Sequence, residues 1–203
     1  MFFAGIVLYT STMLGDCGPA VSPETTQAII QVESGGNHLA IGDNTLKRSF
    51  SPKNTAEAIE LASRLLAQGH SIDMGLMQVN SCHIPSLKLT LEELFDPCQN
   101  IRIGTTILAE FYRQHQSADP AQSLFRALSA YNTGQAWKGA GYVNKILEAA
   151  GAAYRISLPR EFVVRSEEKL PSKAPRTQAR GATAASSPLF FDNLSSSMQA
   201  DEL

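Results

Sequence analysis

The sequence predicts a mainly α-helical domain with at most a small β element, followed by a disordered tail. Three Ser-Pro or Asp-Pro pairs each place a capping side chain before a proline, which is a typical helix start; they are Ser22-Pro23, Asp96-Pro97 and Asp119-Pro120. Apolar residues recur at helical spacing after each pair. Hydrophobic residues make up 43% of the chain, which is enough to form a core.

The first of these helices ends at a carboxylate. Ala28, Ile29 and Val32 recur at helical spacing, and a Ser-Gly-Gly sequence at residues 34 to 36 stops the helix. Glu33 therefore lies in the last turn, beside apolar residues and at the negative end of the helix dipole. Both surroundings raise the pKa of a carboxyl group, so Glu33 is a candidate proton donor. Ordinary helix capping explains the same residues, and this motif alone does not decide between the two.

A second helix is expected after a loop at residues 37 to 50, which can hold a short strand near residues 45 to 50. Asn54 is its N-cap, Glu57 completes a capping box, and Gly69 closes it. Its expected buried stripe is Ile59, Ala62, Leu65 and Leu66.

The stretch Ser71 to Asn80 is too short and too mixed for a helix, and Gly75 indicates a close approach of the backbone to another part of the chain. Two long helices then start at the Asp-Pro pairs, and the second ends at Asn132-Thr133-Gly134. A last helix is expected over roughly Tyr142 to Ala153. From about residue 157 the composition changes to Ser, Pro, Ala, Lys and Arg, which is typical of disorder.

These observations divide the chain into an apolar segment at residues 1 to 15, a domain at 16 to 156 and a disordered tail at 157 to 203. Residues 1 to 14 are apolar without Lys or Arg, and they are too short for a stable membrane span. The segment is either a degenerate export signal or an N-terminal piece folded into the core. The net charge of −2, without a basic cluster in the first 155 residues, argues against a nucleic-acid partner.

The three cysteines, Cys17, Cys82 and Cys98, form no CxxC pair, and with four scattered histidines they give no zinc-ligand spacing. No metal site is predicted. In an exported protein one disulfide is expected, and Cys17 with Cys98 is the preferred pair because each lies next to a helix start. Three buried free thiols remain the alternative.

Three separated motifs stand in order along the chain: Val32-Glu33-Ser34-Gly35, Gly75-Leu76-Met77-Gln78-Val79-Asn80 and Ala130-Tyr131-Asn132-Thr133-Gly134. Together they resemble the soluble lytic transglycosylase (SLT) domain, a family with a fold like goose-type lysozyme that cleaves peptidoglycan. Within that family the chain looks most like the VirB1-like enzymes of type IV secretion and conjugation systems. The resemblance covers roughly residues 17 to 151.

The resemblance implies a role for each matching residue. Glu33 matches the single catalytic acid, and Ser34 matches the serine that helps to orient it. Met77 and Gln78 match residues that line the sugar groove, with Asn80 bracing their loop. Tyr131 and Asn132 match the pair that closes the other side of the groove and holds the substrate.

The resemblance also implies the reaction, which needs no cofactor. Glu33 protonates the glycosidic oxygen of peptidoglycan, and the C6 hydroxyl of N-acetylmuramic acid closes onto C1 to give a 1,6-anhydro sugar. The expected location is the periplasm or cell envelope, where type IV secretion or conjugation components are expected partners. Three alternatives stay open: a hydrolytic muramidase using Asp43 or Asp73, a peptidoglycan-binding assembly module, and an interaction scaffold. Glu57 and Glu60 are expected to be solvated.

Overall fold

The computed structural model describes residues 9 to 157, so residues 1 to 8 and most of the expected tail lie outside the described residues. The helices of this part are α1 Ser11–Cys17, α2 Pro23–Glu33, α3 Thr55–Ala67, α4 His83–Leu87, α5 Leu91–Phe95, α6 Pro97–Gln114, α7 Pro120–Thr133 and α8 Ala140–Ala149. The strands are β1 Ile41–Asp43, β2 Arg48–Phe50, β3 Ile72–Met74 and β4 Val79–Asn80. The predicted fold class, mainly helical with a small β element, is confirmed.

Side-chain caps start the four long predicted helices where expected. Ser22, Asn54 and Asp96 each accept a hydrogen bond from the backbone N–H three residues on, and Asp119 accepts one from the N–H two residues on. Each cap satisfies an N–H that the first turn leaves without an intrahelical partner. The last helix, α8, begins and ends earlier than the predicted span from residue 142 to 153.

Three short helices were not predicted. α1 is capped by Thr10, and α5 has a capping box between Thr90 and Glu93. α4 has no side-chain cap and ends at Lys88 in a left-handed conformation. Elements of five to seven residues contain too few turns for a helical spacing of apolar residues to be visible.

The strands form one antiparallel sheet in the order β2-β1-β3-β4. Gly75 follows β3 with a φ of +78°, and a Cβ there would lie 2.2 Å from the side-chain nitrogen of Asn100. The close approach predicted at Gly75 is confirmed, and any larger residue at this position would displace Asn100.

The described part of the N-terminal segment is folded onto the domain. The Tyr9 backbone N–H donates to the side chain of Gln27, and the Tyr9 hydroxyl donates to the carbonyl of Gly36 at 3.1 Å. Leu14 is fully buried. The folded unit therefore begins before residue 16, the start that the sequence suggested.

The core of residues 9 to 157 consists of two groups of buried apolar side chains. The helical cluster is formed mainly by residues of α1, α2, α6, α7 and α8, and the sheet cluster by residues of β1, β3, β4, α3 and α5. α6 supplies Ile101 and Leu108 to the helical cluster and Ile107 to the sheet cluster. Phe111 and Tyr131 pack against both clusters, so the two are joined along α6 and α7.

Candidate active site

A groove of about 410 Å³ brings together residues that are far apart in the sequence. Helices α2, α6 and α7 and strands β3 and β4 all contribute to its wall. The lining combines apolar side chains with amides and two carboxylates; it includes Glu33, Asn44, Asp73, Gln78, Asn80, Ile107, Phe111, Tyr131 and Asn132. A groove with this mixture can bury a ligand and orient it with a few hydrogen bonds.

Glu33 is the last residue of α2 and lines this groove. Burial raises the pKa of its carboxyl group to about 7, and the negative charge of Asp73 acts in the same direction. A hydrogen bond from Tyr142 and the positive charge of Lys145 partly offset these effects. A large fraction of Glu33 therefore keeps its proton near neutral pH, as the sequence analysis expected from the apolar end of the helix.

Two tyrosines surround this carboxyl group. The Tyr142 hydroxyl donates to Oε1 of Glu33 at 2.6 Å, across 109 residues of sequence. The Tyr131 hydroxyl donates to the backbone carbonyl of Met77 at 2.7 Å, which ties α7 to the turn between β3 and β4. Burial, and secondarily the charge of Glu33, raises the pKa of both tyrosines well above the usual range, so both hydroxyls stay protonated as donors.

Tyr142 was not among the predicted site residues. It belongs to α8, whose sequence shows only the apolar stripe of a core helix. The one signal was its position at the start of the last expected helix, and that position does not indicate which side chain faces Glu33.

Gln78 lines the groove in an unusual backbone conformation, with a φ of +47°. Its amide nitrogen donates to the carbonyls of Ala40 at 3.1 Å and Gly75 at 2.9 Å. Both amide hydrogens are therefore engaged, and Oε1 remains to accept from a ligand. Gly42 leaves the room for this arrangement, because a Cβ there would lie 2.9 Å from Oε1 of Gln78.

Buried Asn100 holds the turn that carries Gln78. Its Oδ1 accepts from the backbone N–H of Met77 at 2.8 Å. Its amide nitrogen donates to the carbonyls of Met74 at 3.0 Å and Leu94 at 2.8 Å. One side chain on α6 thus satisfies three backbone groups around the turn and fixes its shape.

Comparison with known proteins identifies the family. The model of the transglycosylase SLT domain matches residues 15 to 146, which is more than half of the chain. The chain belongs to the transglycosylase SLT domain family. The three motifs that suggested this resemblance all lie inside the matched region.

The SLT domain also has curated relatives. It is 41% identical over 138 residues to protein virB1 of Agrobacterium fabrum strain C58, an alignment that covers 66% of this chain and 56% of that protein. It is 36% identical over 144 residues to the type IV secretion system protein virB1 of Brucella abortus biovar 1, covering 66% of this chain and 60% of that protein. A peptidoglycan-binding-like protein of Escherichia coli O157:H7 is 33% identical over 120 residues, which cover 56% of this chain and 58% of that protein.

The alignments span between 56 and 60% of the length of these relatives. No solved structure gives a significant match. The virB1 proteins are thus what this chain is similar to over about two thirds of its length.

The expectation that Met77 lines the groove of this SLT domain is wrong. Met77 is 0% exposed and belongs to the helical cluster. Its side chain packs against Gly104 of α6, where a Cβ would lie 2.6 Å from the Met77 sulfur. The glycine opens a space that an apolar side chain fills, so only the backbone of Met77 acts at the site, through its bonds to Asn100 and Tyr131.

Ser34, which was expected to help orient the acid, is not among the residues that line the groove. Its hydroxyl donates to the carbonyl of Leu76 at 2.8 Å, with Ile30 at 3.2 Å as a second acceptor. This places it beside Glu33 as a link between the end of α2 and the β3–β4 turn, which fits the orienting part of its expected role. Asn132 is exposed and does line the groove, at the end of α7.

The other four carboxylates considered in the sequence analysis differ in whether they line the groove. Asp43 is 2% exposed and accepts from the backbone of Thr45 and Leu46, and its Oδ2 lies 2.7 Å from Nδ1 of His70. It is the last residue of β1, and it is not among the residues that line the groove. Glu57 and Glu60 are exposed on α3 as expected. Asp73 alone of these four lines the groove with Glu33.

The structure also shows the positions of the three cysteines and of the single tryptophan in the sequence. Cys17 and Cys98 form a disulfide, with Cα atoms 5.0 Å apart, which is the pair preferred from the sequence. Cys82 is a free, exposed cysteine that lines the groove together with His83. Trp137 is 37% exposed and lies outside the groove lining.

Within residues 9 to 157, no group of three or more His, Cys, Asp or Glu side chains is arranged to hold a metal ion. None of the helices in that range has the length and apolar character needed to cross a membrane.

Proposed function

We propose that this chain is a peptidoglycan lytic transglycosylase that cleaves the β-1,4 bond between N-acetylmuramic acid and N-acetylglucosamine, with Glu33 as its acid and base. The observation that carries this proposal is the carboxyl group of Glu33, half-buried in the wall of a groove with its pKa raised to about 7. A group with this pKa can donate a proton and take one back near neutral pH. Membership of the transglycosylase SLT domain family supports the same reaction.

In the first step the Glu33 carboxyl gives its proton to the glycosidic oxygen as the bond from that oxygen to C1 of the muramic sugar breaks. The leaving sugar departs as an alcohol, and the carbonyl oxygen of the N-acetyl group stabilises the positive charge at C1. In the second step the Glu33 carboxylate takes the proton of the C6 hydroxyl while that oxygen bonds to C1. The product is a 1,6-anhydro sugar, water is not consumed, and Glu33 returns to its protonated form.

The surrounding contacts suit these steps. The Tyr142 hydroxyl holds Oε1 of Glu33 and stabilises the carboxylate that forms between the two proton transfers. Oε1 of Gln78 is available to accept from an N–H or hydroxyl of the sugar, because both of its amide hydrogens are engaged elsewhere. Asn132 lies in the groove lining, where its amide can contact the sugar. Ser34 keeps the end of α2 against the β3–β4 turn.

The relatives suggest where such an enzyme acts. The Agrobacterium fabrum relative is named protein virB1, and the Brucella abortus relative is named type IV secretion system protein virB1. We propose that this chain opens peptidoglycan locally for a type IV secretion or conjugation apparatus, in the periplasm or cell envelope.

Hydrolysis is the second candidate reaction, and one observation favours it. Asp73 is a second carboxylate in the same groove, and many glycosidases that use water have two.

A binding or assembly role is the third candidate, and the name of the Escherichia coli relative fits it. Pure binding, however, does not require an acid whose pKa is raised by burial.

The test is mass spectrometry of the muropeptides that the full chain releases from purified peptidoglycan, compared with Glu33→Gln. The amide keeps the shape of the carboxyl group but is too weak an acid to protonate the glycosidic oxygen, so we expect anhydro-ended products from the wild type and a loss of about 10²-fold or more in the variant. Glu60→Gln, an exposed change on α3, is the matched control and should release the wild-type amount. Products heavier by one water would show a hydrolase, and no products from the wild type would favour binding.

A further inference from the structure

Asp73 has a defined position in the groove that the proposed reaction does not use. Its Oδ1 accepts from the side-chain amide of Asn80 at 2.6 Å, and its Oδ2 accepts from the side-chain amide of Asn44 at 2.7 Å. All three residues line the groove together with Glu33. The carboxylate is therefore held in one orientation by a donor on each oxygen.

Glu33 and Asp73 have opposite surroundings. Burial disfavours the charged form of Glu33, whereas each carboxylate oxygen of Asp73 accepts a hydrogen bond from an asparagine side-chain amide. The charge of Asp73 in turn contributes to the raised pKa of Glu33. The groove thus holds one carboxyl group in a burying environment and a second one in a polar, hydrogen-bonded environment.

A second carboxylate in the groove can assist the proposed reaction. Breaking the glycosidic bond leaves positive charge on C1 and on the N-acetyl group that stabilises it. A fixed negative charge in the same groove lowers the energy of this state, and it does so most strongly where the protein excludes water. Among the groove-lining residues of the described chain, Asp73 is the carboxylate other than Glu33.

We propose that Asp73 is a second catalytic carboxylate, whose negative charge stabilises the positive charge that develops on the muramic sugar. No bond forms to Asp73 and no proton passes through it. The proposal rests on the proposed function, since it concerns the same groove and the same bond. Asn44 and Asn80 are then positioning residues that hold the carboxylate.

The rival explanation is structural. β3 carries Asp73, β4 carries Asn80 and the end of β1 leads to Asn44, so the same hydrogen bonds also connect neighbouring strands. A purely structural Asp73 would affect thermal stability and substrate affinity, but it would not selectively lower the turnover of bound substrate. The two explanations therefore predict different kinetics.

The experiment compares the full wild-type chain with Asp73→Asn and Asp73→Ser on soluble glycan strands, measuring kcat, KM, their pH dependence and the melting temperature. Two uncharged variants are used because one of them can fail to fold. Kinetic conclusions are drawn from a variant that keeps the wild-type melting temperature. Asp119→Asn is the matched control: it makes the same change at the cap of α7, outside the groove lining, where Asn caps as well as Asp.

We expect kcat to fall on the order of 10²-fold with KM changed less than about threefold. We also expect the loss of activity at high pH to begin at a lower pH, because removing the charge of Asp73 lowers the pKa of Glu33. A kcat within about threefold of wild type in a folded variant overturns the proposal, as does a fall in kcat without the pH shift. Loss of folding in both variants also overturns it and assigns Asp73 to the strands.

These outcomes are separable from failure of the proposed function. If the wild-type products carry an added water, the proposed lytic reaction is wrong. The effect of the Asp73 variants on kcat and on the pH profile can still be measured in that case. If Glu33→Gln abolishes release while Asp73→Asn does not, the proposed function stands and the role of Asp73 falls.

Discussion

The raised pKa of Glu33 predicts that this residue destabilises the folded protein at neutral and alkaline pH. In the unfolded chain its pKa has the ordinary value of 4.5, and in the folded chain it is about 7. Well below pH 4.5 the carboxyl group is protonated in both states, so it does not change the free energy of unfolding. As the pH rises from 4.5 to 7 the unfolded chain loses the proton first, so stability falls, and above 7 the loss is constant at about 3 kcal/mol.

Glu33→Gln removes this penalty because an amide does not ionise. We expect the variant to match the wild type near pH 4 and to exceed it by about 3 kcal/mol at pH 8.5, which corresponds to roughly 6 to 12 °C in melting temperature for a domain of this size. Thermal unfolding followed by circular dichroism at both pH values measures the difference. Glu60→Gln, whose side chain is exposed, should shift stability by less than about 0.5 kcal/mol at either pH. A Glu33→Gln effect that is equal at the two pH values, or destabilising at pH 8.5, would refute the reasoning.

Three further predictions follow from individual contacts. Tyr142→Phe removes the hydrogen bond that lowers the pKa of Glu33, so activity should persist to higher pH while kcat falls about tenfold, as a pH–rate profile would show. Asn100→Ala leaves three buried backbone groups without their partner and should lower the free energy of unfolding by about 3 kcal/mol or more in a urea titration. Cys17→Ser opens a disulfide that joins residues 81 apart and should cost about 4 kcal/mol in the same assay, whereas Cys82→Ser should leave stability unchanged.

The long helices were predictable because their signals are local. Ser22, Asn54, Asp96 and Asp119 each sit one residue before a helix and satisfy its first turn, whatever the rest of the chain does. The apolar stripes that follow then select the buried face. The strands were largely missed, since two or three residues cannot show an alternating pattern and are held in place by their partners rather than by their own sequence.

A site residue could be predicted from the sequence only where its chemical type and the motif around it both indicate the same role. Glu33 could be identified because the end of α2 and its apolar neighbours are both visible in the sequence. Tyr142 could not, because its contact with Glu33 depends on how α8 packs against α2. Met77 was wrongly placed in the groove lining for a related reason. The space that its side chain fills is created by Gly104 on α6, and no residue near Met77 in the sequence indicates that space.

Direct titration of Glu33 tests the central claim, that burial keeps this carboxyl group protonated for catalysis. Carbon-13 NMR of glutamate side-chain carboxyls identifies the Glu33 signal as the one missing from Glu33→Gln, and its shift is followed from pH 3 to 9. The account predicts a midpoint near 7, matched by a fall in the rate of peptidoglycan cleavage over the same pH range. A midpoint near the ordinary value of 4.5, or cleavage that stays constant while Glu33 ionises, would contradict it.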